Sequence, residues 1–314
     1  MYIIVNPAAR TGKSAGITDI VTGELLKRKI PYTLGYTGDA LHAGELARNA
    51  VLSGEDFILC IGGDGTISNI LPGLVDTNAV LGIIPAGTGN DFARYLGLPG
   101  DPIEALDIAL NGNVRRIDAG KANGRYFINV AGSGFDVAVL RHTLRYKKKF
   151  SGLIPYVLGV FSAISGYRSI KIEIMHEGGT IRQDALLVNI ANGQYFGGGM
   201  RVAPASDASD GLFDVQYVDA ISRLRIPFML SALIKGKHTG WPIVHCFKAT
   251  EMTVTVSDKS LQLDGEVFEE ETVHYKIFPG AVSIRVPSYA IIFLTSKTGL
   301  AFHIMRQVHF SRER

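Results

Sequence analysis

A glycine-rich segment, Gly62-Gly63-Asp64-Gly65-Thr66, follows the apolar run 57–61, and its residue types suit phosphate and metal binding. The glycines allow a sharp turn and a close approach of a phosphate to the backbone. The sequence predicts a helix over 67–75 with Thr66 as its cap, and free N–H groups at such a helix start attract anions. The carboxylate of Asp64 would repel a bare phosphate unless a divalent cation lies between them. The segment therefore predicts a site for a metal–nucleotide, and an ordinary glycine-rich turn is the alternative.

Two other phosphate-binding motifs do not fit this chain. The dinucleotide motif G-x-G-x-x-G would need a glycine where Ser68 stands. A P-loop that ends in Gly12-Lys13-Ser14 would need its first glycine at the position of Pro7.

The first third of the chain alternates predicted strands with predicted helices. Strands are predicted at 2–6, 32–36, 57–61 and 80–84, with helices at 14–29 and 42–52 between the first three. A second glycine-rich loop, 85–89, precedes a further helix over 90–96. This order predicts a parallel sheet covered by helices, whose ligands bind at the carboxyl ends of the strands. We therefore expect Asp64 and Asp91 to lie in one cleft.

Composition and charge exclude several classes of protein. With 314 residues, 46% of them apolar and 19% charged, the chain suits two globular domains. The net charge of +3 gives no argument for a nucleic-acid partner. The two cysteines, Cys60 and Cys246, do not suggest a disulfide framework and suit a reducing cytoplasm. The first residues lack the pattern of a signal peptide.

The chain changes character after about residue 113. Glycine-punctuated strands replace the alternation of strands and helices, and many of them alternate apolar and polar residues as half-buried antiparallel strands do. These strands are predicted at 126–130, 169–175, 185–191, 212–218, 247–256, 272–277 and 282–286. We expect an α/β first domain over 1–113, a β-rich second domain over 114–287, and a tail over 288–314 that returns to the first domain or forms an interfacial helix.

The second domain carries acidic residues of its own. Asp118 lies near the domain junction, and Asp207 and Asp210 lie in an acidic turn with glycine. Such a turn suits a small oxygen cage for Ca²⁺ or Mg²⁺, although an ordinary polar turn is the simpler interpretation. Leu263-Asp264-Gly265-Glu266 lies between two predicted strands, and Asp-Gly is a strong hairpin signal.

The uncharged stretch 151–167 raises the question of a membrane. It contains Pro155 and is shorter than the ~20 apolar residues that a spanning helix needs. A packed helix or one that touches a bilayer surface fits better. The basic residues just before it could bind anionic lipid headgroups; they are Arg141, Arg145, Lys147, Lys148 and Lys149.

The order of these motifs along the chain resembles the bacterial diacylglycerol kinase-like lipid kinases, which share a catalytic domain with sphingosine and ceramide kinases. The resemblance runs from residue 2 to about residue 287. Its landmarks are Asn6-Pro7, Thr37 with His42-Ala43, Gly62 to Thr66, Gly87-Thr88-Gly89-Asn90-Asp91-Phe92-Ala93, Ile117-Asp118, Asn129 with Gly134-Phe135-Asp136, Asp210-Gly211-Leu212-Phe213-Asp214, and Leu263 to Glu266.

The resemblance implies a Rossmann-like N-terminal domain with a parallel sheet, a C-terminal β-sandwich and a nucleotide cleft between them. It implies an ATP site lined by Asn6, Thr37, Gly63, Asp64, Gly65, Thr66, Ile67, Ser68, Asn69, Thr88 and Asn90. Catalytic Mg²⁺ would be held, largely through waters, by Asp64, Asp91 and Asp118. A structural Mg²⁺ would be held by Asp210 and the backbone carbonyls of Asp207 and Leu212. The general base would be Asp264, with Glu266 as its rival.

The function implied is ATP- and Mg²⁺-dependent phosphorylation of a lipid hydroxyl, with diacylglycerol as the first candidate, at the cytoplasmic face of the membrane. Transient contact with the membrane surface is expected, and a homodimer is left open. Two other interpretations compete with it: an NAD kinase-like or other small-molecule kinase, and a non-catalytic regulator that binds a nucleotide or a lipid.

Overall fold

The computed structural model describes residues 1–7, 13–38, 40–147, 149–150 and 153–288. Within these residues the strands are β1 (Tyr2–Val5), β2 (Thr33–Tyr36), β3 (Phe57–Gly62), β4 (Val80–Pro85), β5 (Asn113–Ala122), β6 (Arg125–Phe127), β7 (Val130–Gly134), β8 (Ile170–His176), β9 (Gly179–Ala191), β10 (Phe213–Asp219), β11 (Val244–Ala249), β12 (Glu251–Val256), β13 (Ser260–Leu263), β14 (Glu266–Glu269) and β15 (Thr272–Val286). The helices are α1 (Lys13–Lys27), α2 (Ala40–Leu52), α3 (Asp64–Leu74), α4 (Asp91–Tyr95), α5 (Pro102–Asn111), α6 (Phe135–Lys147), α7 (Ile154–Ile164) and α8 (Ile226–Ile234).

The N-terminal part is a parallel sheet, as predicted. Its strands run in the order β4-β3-β1-β2 with parallel pairing throughout. The strands β1 and β3 are apolar along almost their whole length because both faces of the sheet are covered. Helices α2 and α3 pack on one face, and α1 and α5 pack on the other.

The C-terminal part is antiparallel, with strands that pair in the order β13-β7-β9-β8-β12-β15. Its sandwich-like core is formed by inward-facing residues of these strands and of β10, with Phe127, Phe213 and Tyr275 as the largest buried side chains. The mixed α/β fold class is therefore confirmed.

Strand β15 joins the two parts, which the sequence did not reveal. Its first half pairs with β12, and its last residues pair in parallel with β4. Along its length it also pairs with β5, with a register shift between Phe278 and Val282. The return to the first sheet thus occurs within residues 272–286. The tail over 288–314, predicted either to make this return or to form an interfacial helix, lies outside the described residues from residue 289 onward.

Several predicted boundaries were wrong. The predicted strand 247–256 is two strands, β11 and β12, which pair with different neighbours. The predicted strands 272–277 and 282–286 are one strand. Helix α6 and helix α5 were missed, although Asp101 and Pro102 form a clear helix start, with the Asp101 carboxylate accepting hydrogen bonds from two backbone N–H groups.

Candidate active site

The glycine-rich loop after β3 leads directly into α3, as the sequence predicts, but the helix begins earlier. Its cap residue is Gly63, and Thr66 lies inside the first turn, so the prediction of Thr66 as the cap was wrong. The hydroxyl of Thr66 instead accepts a hydrogen bond from Asn6 Nδ2 at 3.1 Å. Among the described residues no side chain caps this helix start, so its first N–H groups are available to an anion.

The two glycine-rich loops pack against each other. A Cβ atom at Gly63 would lie 2.8 Å from the Cα of Gly87, so a larger residue would separate the loops. The second loop is held by Asn90, which has a positive φ of 49° and exchanges hydrogen bonds of 2.8 and 3.0 Å with the backbone of Gly87. Asn90, a predicted ATP contact, thus uses its side chain to shape the loop, and Thr88 lies half-buried within it.

Two carboxylates meet between these loops, Asp91 buried and Asp64 half-buried. Asp64 accepts hydrogen bonds from the backbone N–H groups of Asp91 and Phe92 at 3.0 and 2.9 Å. Asp91 accepts one from Gly198 N–H at 2.8 Å, and its other oxygen lies 3.6 Å from the guanidinium of Arg94. The expectation that Asp64 and Asp91 share one cleft therefore agrees with their placement.

The electrostatics of this pair suit a divalent cation. Burial raises the pKa of Asp64, and burial together with the charge of Asp64 raises the pKa of Asp91 to about 6. Asp91 Oδ1 is buried and has no hydrogen-bond partner among the described residues. A cation would relieve the repulsion, and Oδ1 of Asp91 would be one of its oxygen ligands, so the residues fit a magnesium ion that keeps several waters. No three described His, Cys, Asp or Glu side chains form a direct ligand cluster.

Asp264 lies at the β13–β14 turn and faces the same region, but its carboxylate is fully engaged. One oxygen accepts hydrogen bonds from Ser68 Oγ and from Ile128 N–H, the latter at 2.8 Å. The other accepts from Asn129 N–H at 3.0 Å and Val130 N–H at 2.9 Å. A carboxylate has about four lone-pair positions, so none remains for a substrate proton. This arrangement weighs against the prediction that Asp264 is the general base.

Glu266, the rival base, is exposed on the same turn. Its Oε1 accepts a hydrogen bond of 3.3 Å from Asn69 Nδ2. The same oxygen would lie 3.2 Å from a Cβ atom at Gly65, so it stands directly over the glycine-rich loop. Unlike Asp264, it accepts a single hydrogen bond among the described residues, so it has lone pairs left to accept a proton.

Asp118 lies near Asp207 and Asp210. None of its described hydrogen bonds joins it to Asp64 or Asp91. Its carboxylate accepts hydrogen bonds from Gly280 N–H at 2.6 Å and Gly211 N–H at 2.8 Å. Burial, and more weakly the charges of Asp210 and Asp207, raise its pKa. Asp207 is paired with Arg115, and Asp210 with Lys248, each at 2.6 Å.

The remaining predicted ATP contacts lie at the carboxyl edge of the parallel sheet. Asn6 follows β1 and Thr37 follows β2, where the N–H of Thr37 donates to Val5 O at 2.9 Å. Ile67 points from α3 into the core, so only its backbone could contact ATP. The predicted ATP contacts therefore lie in and beside the four loops that follow β1, β2, β3 and β4.

An apolar cavity adjoins the carboxylate pair, and the sequence analysis did not find it. It has a cavity volume of about 70 Å³ and is lined by α6, α7, α8, β9 and the loop near Met200. The loop near Met200 carries Gly198, whose N–H donates to Asp91, so this end of the cavity adjoins the acids. Burial raises the pKa of the Tyr156 hydroxyl, with smaller contributions from the charges of Asp91 and Asp64. Its lining includes Phe135, Val139, Tyr156, Val160, Phe196 and Met229. These residues come from four distant segments, and no local spacing links them.

Comparison with known proteins identifies the family of the chain. Residues 1–122 match the family model of the diacylglycerol kinase catalytic domain, and residues 129–286 match that of the YegS C-terminal NAD kinase beta sandwich-like domain. The chain belongs to the diacylglycerol kinase family. It is therefore a lipid kinase of this family, as the order of its motifs predicted.

Relatives of the diacylglycerol kinase family cover most of the chain. A diacylglycerol kinase of Bacillus subtilis is 35% identical over 233 residues, which are 73% of this chain and 76% of that protein. A diacylglycerol kinase of Mycobacterium tuberculosis is 30% identical over 91% of this chain and 94% of that protein. The crystal structure of a diacylglycerol kinase from Bacillus anthracis has a TM-score of 0.73 and 24% identity, and it covers 91% of this chain and 96% of that one.

Proposed function

We propose that the chain transfers the γ-phosphate of ATP to the hydroxyl of a membrane lipid in a Mg²⁺-dependent reaction, most simply from diacylglycerol to phosphatidic acid. The observation that carries this proposal is the convergence of three features at one point. The uncapped start of α3, the Asp64–Asp91 pair and Glu266 all face the glycine-rich loop. Phosphoryl transfer needs this combination of charge neutralisation and positioning.

Each group has a distinct role in this proposal. Asp64 and Asp91 would hold the magnesium ion that neutralises the triphosphate, and the N–H groups of Gly63 and Gly65 would bind its oxygens. Glu266 would accept the proton of the lipid hydroxyl. We propose Glu266 rather than Asp264 as the base because only Glu266 has free lone pairs. Asp264 instead fixes Ser68 and the backbone at 128–130.

We propose a structural role for the second predicted magnesium site, which is formed by Asp210 and the carbonyls of Asp207 and Leu212. Both acidic side chains already pair with a basic residue. A cation there would have to displace Lys248 from Asp210. Asp118 would then connect this loop to the active site, since its backbone carbonyl and that of Ile128 accept hydrogen bonds from the same Asn192 side chain.

The surface near the cavity fits contact with a bilayer. Leu224 is 83% exposed and Phe228 is 74% exposed, beside α6 and α7 with Leu144 and Phe161 also exposed. Among the described residues no helix has the length and hydropathy needed to cross a membrane. Exposed basic residues of the same elements could meet anionic headgroups; they include Arg141, Arg145, Lys149, Arg223 and Arg225. We propose transient binding at the cytoplasmic face of the membrane.

The division of the chain at residues 113 and 287, the absence of a nucleic-acid partner and the open possibility of a homodimer stay predictions. An NAD kinase-like activity is the second candidate. The apolar cavity beside the acids favours a lipid acceptor over NAD. A non-catalytic regulator would not need Glu266 above the glycine-rich loop.

The test is the transfer of labelled γ-phosphate from ATP to a panel of lipid alcohols and to NAD. We expect Mg²⁺-dependent labelling of a lipid by the native chain, and loss of it in Asp64→Ala and Glu266→Gln. Leu52→Ser, at an exposed residue of α2 remote from the site, is the control and should retain full activity. Labelling of NAD alone would support the second candidate, and no labelled product would support a regulator.

A further inference from the structure

One wall of the apolar cavity carries two polar side chains that the proposed mechanism does not use. Asp136 is in the first turn of α6, and Asn189 is on β9. The other described groups that line the cavity are apolar, apart from the hydroxyl of Tyr156. A cavity that binds only hydrocarbon chains would have no need for a carboxylate and an amide in its wall.

Gly132 on β7 provides the space in which these two side chains meet. It pairs with Asn189 of β9 on one side and with Gln262 of β13 on the other. A Cβ atom at Gly132 would lie 2.2 Å from Asp136 Oδ2 and 2.5 Å from Asn189 Oδ1. The two oxygens therefore converge over a position that only glycine leaves open.

Three oxygens at this position have no hydrogen-bond partner among the described residues. They are Oδ1 and Oδ2 of Asp136 and Oδ1 of Asn189, and all three are buried. The N–H of Val137 and the amide of Gln262 lie close enough to lower the pKa of Asp136, but neither makes a hydrogen bond of good geometry to its oxygens. Burial raises the pKa of Asp136 to about 7. Near neutral pH the carboxyl group can therefore both donate and accept a hydrogen bond.

A purely structural role for Asp136 explains only part of this arrangement. An acidic residue in the first turn of a helix interacts favourably with the helix dipole. That role needs no neighbouring amide oxygen, no opening at Gly132 and no position in a cavity wall. Buried polar groups that lack partners in a binding site commonly await a ligand group or a bound water.

The position is also joined to the turn that carries the proposed base. Gly132 pairs with Gln262 on β13, and this strand leads into the turn of Asp264 and Glu266.

We propose that Asp136 and Asn189 form a hydrogen-bonding subsite for a second oxygen function of the acceptor lipid, either an ester carbonyl or a free hydroxyl, beside the hydroxyl that is phosphorylated. This inference rests on the proposed function and assigns two residues to the recognition of the second oxygen of its acceptor. A long-chain alcohol with a single oxygen would leave the subsite without a partner and would be selected against.

The experiment compares native chain, Asp136→Leu, Asp136→Asn and Ser133→Ala. Ser133 is buried on the opposite face of β7, so it controls for disturbance of the strand. The measured quantities are KM for a medium-chain diacylglycerol, KM for the matching monoacylglycerol, and Ki for a saturated primary alcohol that competes with them. Melting temperature and KM for ATP report on folding and on the nucleotide site.

We expect Asp136→Leu to raise KM for at least one of the two glycerolipids about tenfold, which corresponds to ~1.4 kcal/mol, while Ki for the alcohol stays the same or falls. The KM values of Asp136→Asn should lie between those of Asp136→Leu and of the native chain. Ser133→Ala should have the KM values of the native chain. An effect on the diacylglycerol alone assigns the contact to the ester carbonyl, and one on the monoacylglycerol alone assigns it to the hydroxyl.

Equal increases in both KM values and in Ki, or no increase in any of them, would overturn the proposal and leave Asp136 a structural residue. If the native chain phosphorylates no lipid, the proposed function itself fails. That outcome is separate from unchanged selectivity in an active variant.

Discussion

Asp264 and Glu266, two residues apart on one turn, should respond to neutralisation in opposite ways. In Asp264→Asn an NH₂ group replaces one of two oxygens that each accept two hydrogen bonds. At least one buried backbone N–H then loses its acceptor, at a cost of ~1–3 kcal/mol, and charge-assisted bonds to the others weaken. We expect the free energy of unfolding to fall by about 2–4 kcal/mol, and Tm to fall by roughly 5–10 °C.

Glu266→Gln should leave stability almost unchanged, within ~0.5 kcal/mol, because the side chain is exposed and its one described hydrogen bond is long. Loss of a general base should lower kcat by roughly 10²–10⁴-fold. The assay pairs thermal unfolding with lipid phosphorylation for both variants and for Glu269→Gln, an exposed control on the same strand. If Asp264→Asn kept its Tm but lost activity, while Glu266→Gln stayed active, the assignment of the base to Glu266 would be refuted.

Three further predictions concern the metal, the loops and the membrane. Because burial raises the pKa of Asp91 from 3.8 to about 6, the folded chain binds a proton more tightly than the unfolded chain, so stability falls as pH rises between these values. Mg²⁺ should therefore raise Tm more at about pH 7.5 than at about pH 5, and equal shifts would contradict a role for this carboxylate. Gly63→Ala should raise KM for ATP about tenfold or more, since its Cβ would meet Gly87 at 2.8 Å, whereas Gly16→Ala, with open space around it, should not. Phe228→Asp should weaken sedimentation with anionic vesicles several-fold, and Met175→Asp, exposed on β8, should bind like the native chain if the docking surface is assigned correctly.

The parallel sheet could be predicted from sequence because β1, β3 and β4 are continuous apolar runs, and β3 and β4 lead into glycine-rich loops. The strands of the antiparallel part were harder to predict, since the residues with which a strand pairs decide where it begins and ends. Nothing in the run 247–256 marks the point where one strand ends, at Ala249, and the next begins, at Glu251. Likewise, only long-range pairing shows that β15 continues through Pro279 and Gly280 to reach β4.

The candidate site likewise has a part that the sequence predicts and a part that it does not. Asp64 and Asp91 could be placed together because both follow strands that end at one edge of the sheet. The roles of Asp264 and Glu266 could not be separated by sequence, since the choice depends on which carboxylate meets the backbone at 128–130. Of the proposed subsite, the sequence marked Asp136 alone, as part of the family landmark Gly134-Phe135-Asp136. Its opening at Gly132 depends on strand register, which no local pattern encodes.

The most direct test of the account is the position of Mg²⁺ and ADP in a crystal structure of the native chain. The account predicts that the β-phosphate lies on the N–H groups at the start of α3, beneath Glu266, with the metal reached by Asp64 and Asp91 directly or through waters. A nucleotide bound away from the glycine-rich loop, or a metal with no contact to either carboxylate, would contradict it.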